Sequence, residues 1–243
     1  MPAESRKRVV VRNSVYSMLS WMVPLIVGPI VTPIVVRGLG NEHYGLYAII
    51  LGFISYSFAF GIGKTAAKYV AEYRARGESE ALAEIISSIF WLSLGAGVVA
   101  VVALVLFAGV IVRDVLLIPE PLQETARIAL MLAGVTILFT MVSQVFQFVL
   151  QGMHRFDRYL LITNISAIAV NLGSVVIVLS GRGITTLVIW NMVMVAFTGV
   201  FFYAAVRQWL PEFHFRLRIE REYWIASLRY SASIIDRKST RLN

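Results

Sequence analysis

The sequence predicts an all-α integral membrane protein of about six transmembrane helices, on three observations. The first is composition. The 243 residues are 58% hydrophobic and only 15% charged, with a mean hydropathy of +0.75. A soluble domain carries about 45–50% apolar and about 25% charged residues, so lipid must cover the excess apolar surface. The second is that this apolar character comes in blocks. Six stretches, 14–36, 44–63, 85–112, 128–150, 159–180 and 184–206, run nearly or wholly without charge for the length of a bilayer, where about 20 apolar residues make one span. The third is the charge between the blocks. Lys and Arg number four before the first span, four in 64–84, two in 151–158 and eight from Arg207 onward, against Arg37, Arg113, Arg127 and Arg182 on alternate turns. Positive charge collects on the cytoplasmic side, which places both termini in the cytoplasm.

Each block supports a helix. Strands of a membrane barrel alternate over about 10 residues, and none of these blocks does. In the first, Pro24, Pro29 and Pro33 stand with Gly28. Each proline removes an intrahelical hydrogen bond, so this span is expected to be interrupted, as a kinked structural helix or as a bending gate. It is longer than the apolar core of a signal peptide and has no small-residue cleavage site after it. In the third block, residues 98–112 carry no polar side chain at all. After 206 the pattern changes: Phe213, Phe215, Leu217 and Ile219 alternate with His214, Arg216, Arg218 and Glu220. A period of two suggests an extended segment on the membrane surface, its arginines near anionic headgroups. The expected organisation is a six-helix lobe over 1–206, a cytoplasmic linker over 207–226 and the start of a seventh helix over 227–236. The polar residues 237–243 read as a non-native or truncated end.

Enzyme chemistry finds little footing. Cysteine is absent, and His43, His154 and His214 lie in separate loops without metal-ligand spacing. No metal site and no cofactor are expected. Gly61, Gly63, Lys64 and Thr65 look like a phosphate-binding loop, but that pattern puts its first glycine where Phe58 stands. Carboxylates lie outside the spans, so none is available there as a proton relay. The net charge of +8 reflects cytoplasmic loops, and no nucleic-acid partner is expected.

Uncharged polar groups inside the spans are the candidates for function. Gln144, Gln147 and Gln151 fall at i, i+3 and i+7 on one helical face, with Val149 expected to face lipid. Asn164, Asn171 and Ser174 share a face of the next span, and Ser17, Ser20 and Pro24 share one of the first. The short connection predicts that Asn164 and Asn171 approach the glutamines from the neighbouring antiparallel helix. Such amides either bond helix to helix, each pair contributing about 0.6 kcal/mol, or line a wet cavity, where their donors and acceptors suit a polyol. Lys64, Lys68, Arg74 and Arg76 follow the second span. They either express the cytoplasmic charge bias alone or form a docking patch for a diphosphate.

One stretch resembles a known family. Arg37-Gly-Leu-Gly-Asn-Glu-His-Tyr-Gly-Leu-Tyr47 is similar to the arginine, leucine-glycine and tyrosine-glycine pattern of polysaccharide biosynthesis flippases. Phe60-Gly-Ile-Gly-Lys-Thr-Ala-Ala-Lys-Tyr69, Gln151-Gly152, Asn164 and Asn171 fit the same pattern. Gly38, Gly40 and Gly45 suit a tight hairpin with close backbone approach. The resemblance covers nearly all of 10–235 and implies membership of the multidrug, oligosaccharidyl-lipid and polysaccharide exporter superfamily. In that superfamily two six-helix lobes enclose a cavity that opens to each side in turn.

This chain would then be one lobe of an inner-membrane flippase for an undecaprenyl-diphosphate-linked oligosaccharide used in lipopolysaccharide and other surface glycans. Its partners would be that substrate, membrane lipids and polysaccharide assembly proteins. Gln144, Gln147, Gln151, Asn164, Asn171, Ser17, Ser20, Lys64 and Lys68 are the substrate-binding candidates, and Pro24, Gly28, Pro29 and Pro33 the gate candidates. A drug or metabolite exporter of the same superfamily is the alternative. A membrane enzyme acting on lipid-linked sugars would need a catalytic outer loop longer than the one near 113–127.

Overall fold

Long uninterrupted apolar sequence favours helices, because a helix satisfies its own backbone polar groups where no water can. The structure, a computed structural model, describes residues 25–56 and 62–210, with the backbone alone at 56 and 62–66. It is all-helical there. The helices are α1 (Leu25–Leu39), α2 (Asn41–Tyr56), α3 (Ile62–Arg76), α4 (Ser79–Val110), α5 (Glu120–Gly152), α6 (Phe156–Leu179) and α7 (Ile184–Trp209). The last turn of α4 widens into a π-helical segment, Ile111–Val115, closed by a bond from the Leu116 amide to the Ile111 carbonyl at 2.8 Å.

Four helices are long and apolar enough to cross a bilayer, namely α4 with its π segment, α5, α6 and α7. They match the expected third to sixth spans. The first two expected spans appear among the described residues as the shorter helices α1 and α2, so four full spans of the expected six are accounted for. The tail with its alternating pattern, the linker beyond 210 and the start of a seventh helix lie outside the described residues.

Helix α1 continues without a break through Pro29 and Pro33. Val31 and Val35 are buried, while both prolines are exposed on the opposite side. The helix expected to be interrupted by its prolines is thus unbroken between Leu25 and Leu39, with both prolines on its exposed side. The α1–α2 turn uses two of its three glycines. Gly40 has φ +79°, a left-handed conformation that strains any other residue, and its amide bonds the Val36 carbonyl at 2.9 Å. At Gly38 a methyl group would run into Val178 of α6. Gly45, by contrast, has open space around it, so the close approach expected there is absent. A second left-handed glycine, Gly77 at φ +75°, ends α3 and reverses the chain into α4.

Helix α5 is the axis of the lobe. Its buried residues lie on nearly every side, from Ala126 through Gly152, and α4 and α7 pack along it, with α3 against its end and α6 against α7. In lipid, helices associate through close packing rather than an expelled water shell, which favours small residues at the contacts. Gly97 of α4 sits against Leu138 of α5, where a Cβ would lie 2.9 Å from the Leu138 Cα. Gly134 of α5 returns the arrangement against Val101 and Leu104 of α4. Gly199 of α7 faces Ser143, and Gly173 of α6 accepts the Trp190 ring of α7. The Trp190 indole N–H then bonds the Val170 carbonyl at 3.1 Å, tying α7 to α6.

Two apolar cores result. One joins α1, α2, the end of α4, the first half of α5 and the α6–α7 turn, with Leu46, Ile50, Leu130 and Leu187 at its centre. The other joins α3, the start of α4, the end of α5 and the end of α7, with Val70, Ile86, Val149 and Phe202 fully enclosed or nearly so. Val149 is thus core and not lipid-facing, since α5 is surrounded by other helices at that level. Residues such as Val99 and Leu106 of α4 and Leu172 and Val176 of α6 carry the exposed apolar surface.

Candidate functional site

Between the two cores lies a half-open cavity of about 400 Å³ lined by α2, α5, α6 and α7. It exists because α6 leans on α7 and leaves α5 at mid-height. Its apolar wall includes Leu51, Ile54, Val170, Met194 and Val195. Its polar side chains are Ser55, Thr140, Ser143, Gln147, Tyr159, Thr163, Ser166, Asn191 and Thr198. Among the described residues, no acidic or basic side chain lines it.

The hydrogen bonds explain how apolar helices carry so many hydroxyls. Ser55 donates to the Leu51 carbonyl at 2.8 Å, Thr140 to the Thr136 carbonyl at 2.7 Å and Thr198 to the Met194 carbonyl at 2.6 Å. Each such bond goes back one turn within the same helix, so the hydroxyl is satisfied before the helix inserts. Across helices, Thr198 of α7 and Ser166 of α6 lie 2.9 Å apart. The Gln147 amide donates to the Ser143 hydroxyl at 3.2 Å.

Of the residues singled out in the sequence, Gln147 lines this cavity. Gln144 is buried on the adjoining side of α5, and its amide nitrogen has no hydrogen-bond partner among the described residues. Gln151 is half-buried at the end of α5. On α6, Asn171 donates to the Ala167 carbonyl of its own helix at 2.7 Å, and Asn164 is half-buried. Neither borders the cavity, because the α6 residues that do are Tyr159, Thr163, Ser166, Ala167 and Val170. Gly28 is half-buried in α1, with Pro29 and Pro33 exposed. Ser17, Ser20, Pro24 and the Lys64 side chain lie outside the described residues.

The basic residues after the second span divide by role. Arg74 donates to the Met153 carbonyl at 3.0 Å and so closes the end of α5. Arg76 pairs with Glu72 at 2.6 Å, an exposed pair one helical turn apart. Lys68 is exposed, its ammonium 5.5 Å from the Tyr69 ring centre. At the same end of the lobe the Arg155 guanidinium lies over the Trp209 ring at 3.2 Å, holding the α5–α6 turn against α7. Among the described residues there is no cluster of groups that could hold a metal.

Sequence reasoning missed Thr163, Ser166, Asn191 and Thr198. A signal was present: Thr163, Ser166 and Val170 fall at i, i+3 and i+7, and Asn191, Met194 and Thr198 do the same on α7. Single hydroxyls dispersed in apolar sequence make a weaker pattern than three glutamines in about two turns.

The family described as polysaccharide biosynthesis protein matches residues 10–237. The chain belongs to that family. Among solved structures, this polysaccharide biosynthesis family member superposes on a MOP superfamily transporter from Pyrococcus furiosus, whose binding pocket is described as having reverse polarity. The TM-score is 0.78 at 18% identity, over 94% of this chain and 52% of the other. A multidrug resistance MATE family transporter of the MOP superfamily, solved in an outward-facing conformation, gives 0.76 at 19% identity, over 94% and 53%. A MATE in complex with MaD3S gives 0.76 at 18% identity, over 94% and 52%. No curated protein matches the sequence. The fold of this family member is therefore that of a MOP superfamily transporter, a multi-pass membrane protein, and the chain spans about half the length of the solved transporters it matches.

Proposed function

We propose that this chain is one lobe of a two-lobe exporter that carries a lipid-linked oligosaccharide across the inner membrane for surface polysaccharide biosynthesis. The family match over residues 10–237 is the observation that carries this reading. The lobe is residues 1–206, followed by a cytoplasmic linker over 207–226 and the start of a seventh helix over 227–236. Both termini face the cytoplasm, because 18 Lys and Arg stand on that side against four on the other. The carrier lipid is undecaprenyl diphosphate, and polysaccharide assembly proteins receive the glycan.

Substrate contacts fall to the amides Gln144, Gln147, Gln151, Asn164 and Asn171, with Ser17, Ser20, Lys64 and Lys68 as the further candidates. Placement of Gln147 on a polar cavity within the lobe supports this assignment. Pro24, Gly28, Pro29 and Pro33 are the gate positions of the first helix, where missing backbone bonds let a helix bend. The reading involves no catalysis. Deletion of the gene tests it: the lipid-linked precursor should accumulate and surface glycan should fall, with both restored by the intact gene. Unchanged glycan together with heightened sensitivity to lipophilic cations would favour the second reading, a drug or metabolite exporter. Likeness to a multidrug resistance MATE family transporter is the observation behind that alternative.

A further inference from the structure

The cavity inside the lobe holds polar groups that the lobe itself does not use. Asn191, Thr163 and the Tyr159 hydroxyl line it without a hydrogen-bond partner among the described residues, and the Gln147 amide has spent only its nitrogen, on Ser143. Half-buried groups left unpaired are costly unless water or a ligand completes them. Together they offer several donors and acceptors.

Charge narrows the occupant. Among the described residues that line it, a phosphate or an organic cation finds no ionised side chain to pair with, and an unpaired charge in such surroundings is disfavoured. Size narrows it again. At about 400 Å³ the cavity is near the lower end of small-molecule pockets, which run from roughly 300 to 1,000 Å³. A single ring fits within it, and the cavity stays open on one side. Shape adds a third constraint: the half-buried Tyr159 ring, backed by the buried Phe202 ring with centres 5.9 Å apart and planes 27° apart, puts an aromatic surface beside the polar groups. A ring with an apolar C–H face and a rim of hydroxyls matches that surface and those groups.

We infer that this cavity is a subsite for a single uncharged sugar ring, held by Asn191, Thr163, Tyr159 and Gln147. The inference rests on the export reading for where the ring comes from, and it separates sugar recognition from recognition of the diphosphate. The subsite reads the glycan, and the charged linker is bound elsewhere.

The native chain has no cysteine, so Ser55→Cys at the cavity rim gives one reporter thiol in the 243-residue protein. Its labelling by N-ethylmaleimide is followed with D-glucose, D-galactose, N-acetyl-D-glucosamine or L-rhamnose, and separately with inorganic diphosphate or tetraphenylphosphonium. At about ten times its dissociation constant, a bound sugar should slow labelling about tenfold. At least one sugar should do so, and neither ion should. Asn191→Leu and Thr163→Val, each checked for native size-exclusion behaviour, should raise the sugar concentration needed by about tenfold. Protection by no sugar, equal protection by either ion, or unchanged protection in both well-folded variants overturns the subsite. Sugar protection in a protein whose gene deletion leaves surface glycan intact would sink the export reading and leave the subsite standing. A deletion phenotype without sugar protection would do the reverse.

Discussion

Gly152 is where the packing of this lobe is tightest against backbone, so Gly152→Ala is the sharpest probe of it. A Cβ there would lie 2.7 Å from the Ala67 carbonyl oxygen and 2.8 Å from the Val70 Cβ, against 3.4 Å for the start of ordinary contact. The obstacle is α3 itself and not a side chain that can swing aside. Alanine favours the helix by about 1 kcal/mol over glycine, while forcing a methyl into a filled contact costs about 1–3 kcal/mol. Moving α3 also stretches the bond from Arg74 to the Met153 carbonyl, and losing it costs about 0.5–1.5 kcal/mol more. The net expectation is destabilisation by about 0.5–3.5 kcal/mol. Gly95→Ala is the matched control: it lies in α4 with nothing within 4 Å and should gain up to about 1 kcal/mol from helix propensity. Reversible SDS unfolding in mixed micelles, followed by tryptophan fluorescence, measures both. A Gly152→Ala protein as stable as Gly95→Ala would refute the α3–α5 contact and with it the placement of the basic end of α3.

Three further outcomes follow from the same geometry. Trp190→Phe removes the indole bond to the Val170 carbonyl and should cost about 0.5–1.5 kcal/mol in the same assay; an unchanged midpoint would detach α6 from α7. Reporter fusions at Gly77 and Arg207 should read cytoplasm and those at Asn41 and Glu120 periplasm, and a periplasmic signal at Gly77 would reverse the topology. Cysteine at position 147 should react with a small water-soluble thiol reagent, whereas cysteine at buried Val149 or at Val176, on the exposed apolar surface of α6, should not; equal protection at 147 would leave the glutamine as packing alone.

Much of the fold was legible because its causes are local. Charge-free length marks α4 to α7, and the turn glycines Gly38 and Gly40 sit where α1 meets α6 and reverses into α2. Partner choice among helices was not legible. A short α5–α6 turn argued that the amides of these neighbours face one another, yet α5 packs along α4 and α7. That preference arises from Gly97 and Gly134 on one side and Gly199 on the other, which no hydropathy profile weighs. The same cause misplaced Val149, whose apolar side chain suits lipid and core equally. The prolines of α1 gave the opposite lesson. Their chemistry was read correctly, but Pro29 and Pro33 lie on the exposed side of a helix that runs unbroken.

The most direct measurement is translocation in proteoliposomes holding the intact exporter that contains this lobe, with a fluorescent undecaprenyl-diphosphate oligosaccharide read out by accessibility to an external lectin. Removing the Gln147 bond to Ser143 by Gln147→Leu should cost folding little, about 0.6 kcal/mol for such a contact in a membrane interior. The account predicts that the wild-type protein moves the glycan lipid and that Gln147→Leu moves less of it per molecule at an unchanged protein level. No translocation by the wild type, or a variant whose rate falls only as its protein level falls, would contradict it.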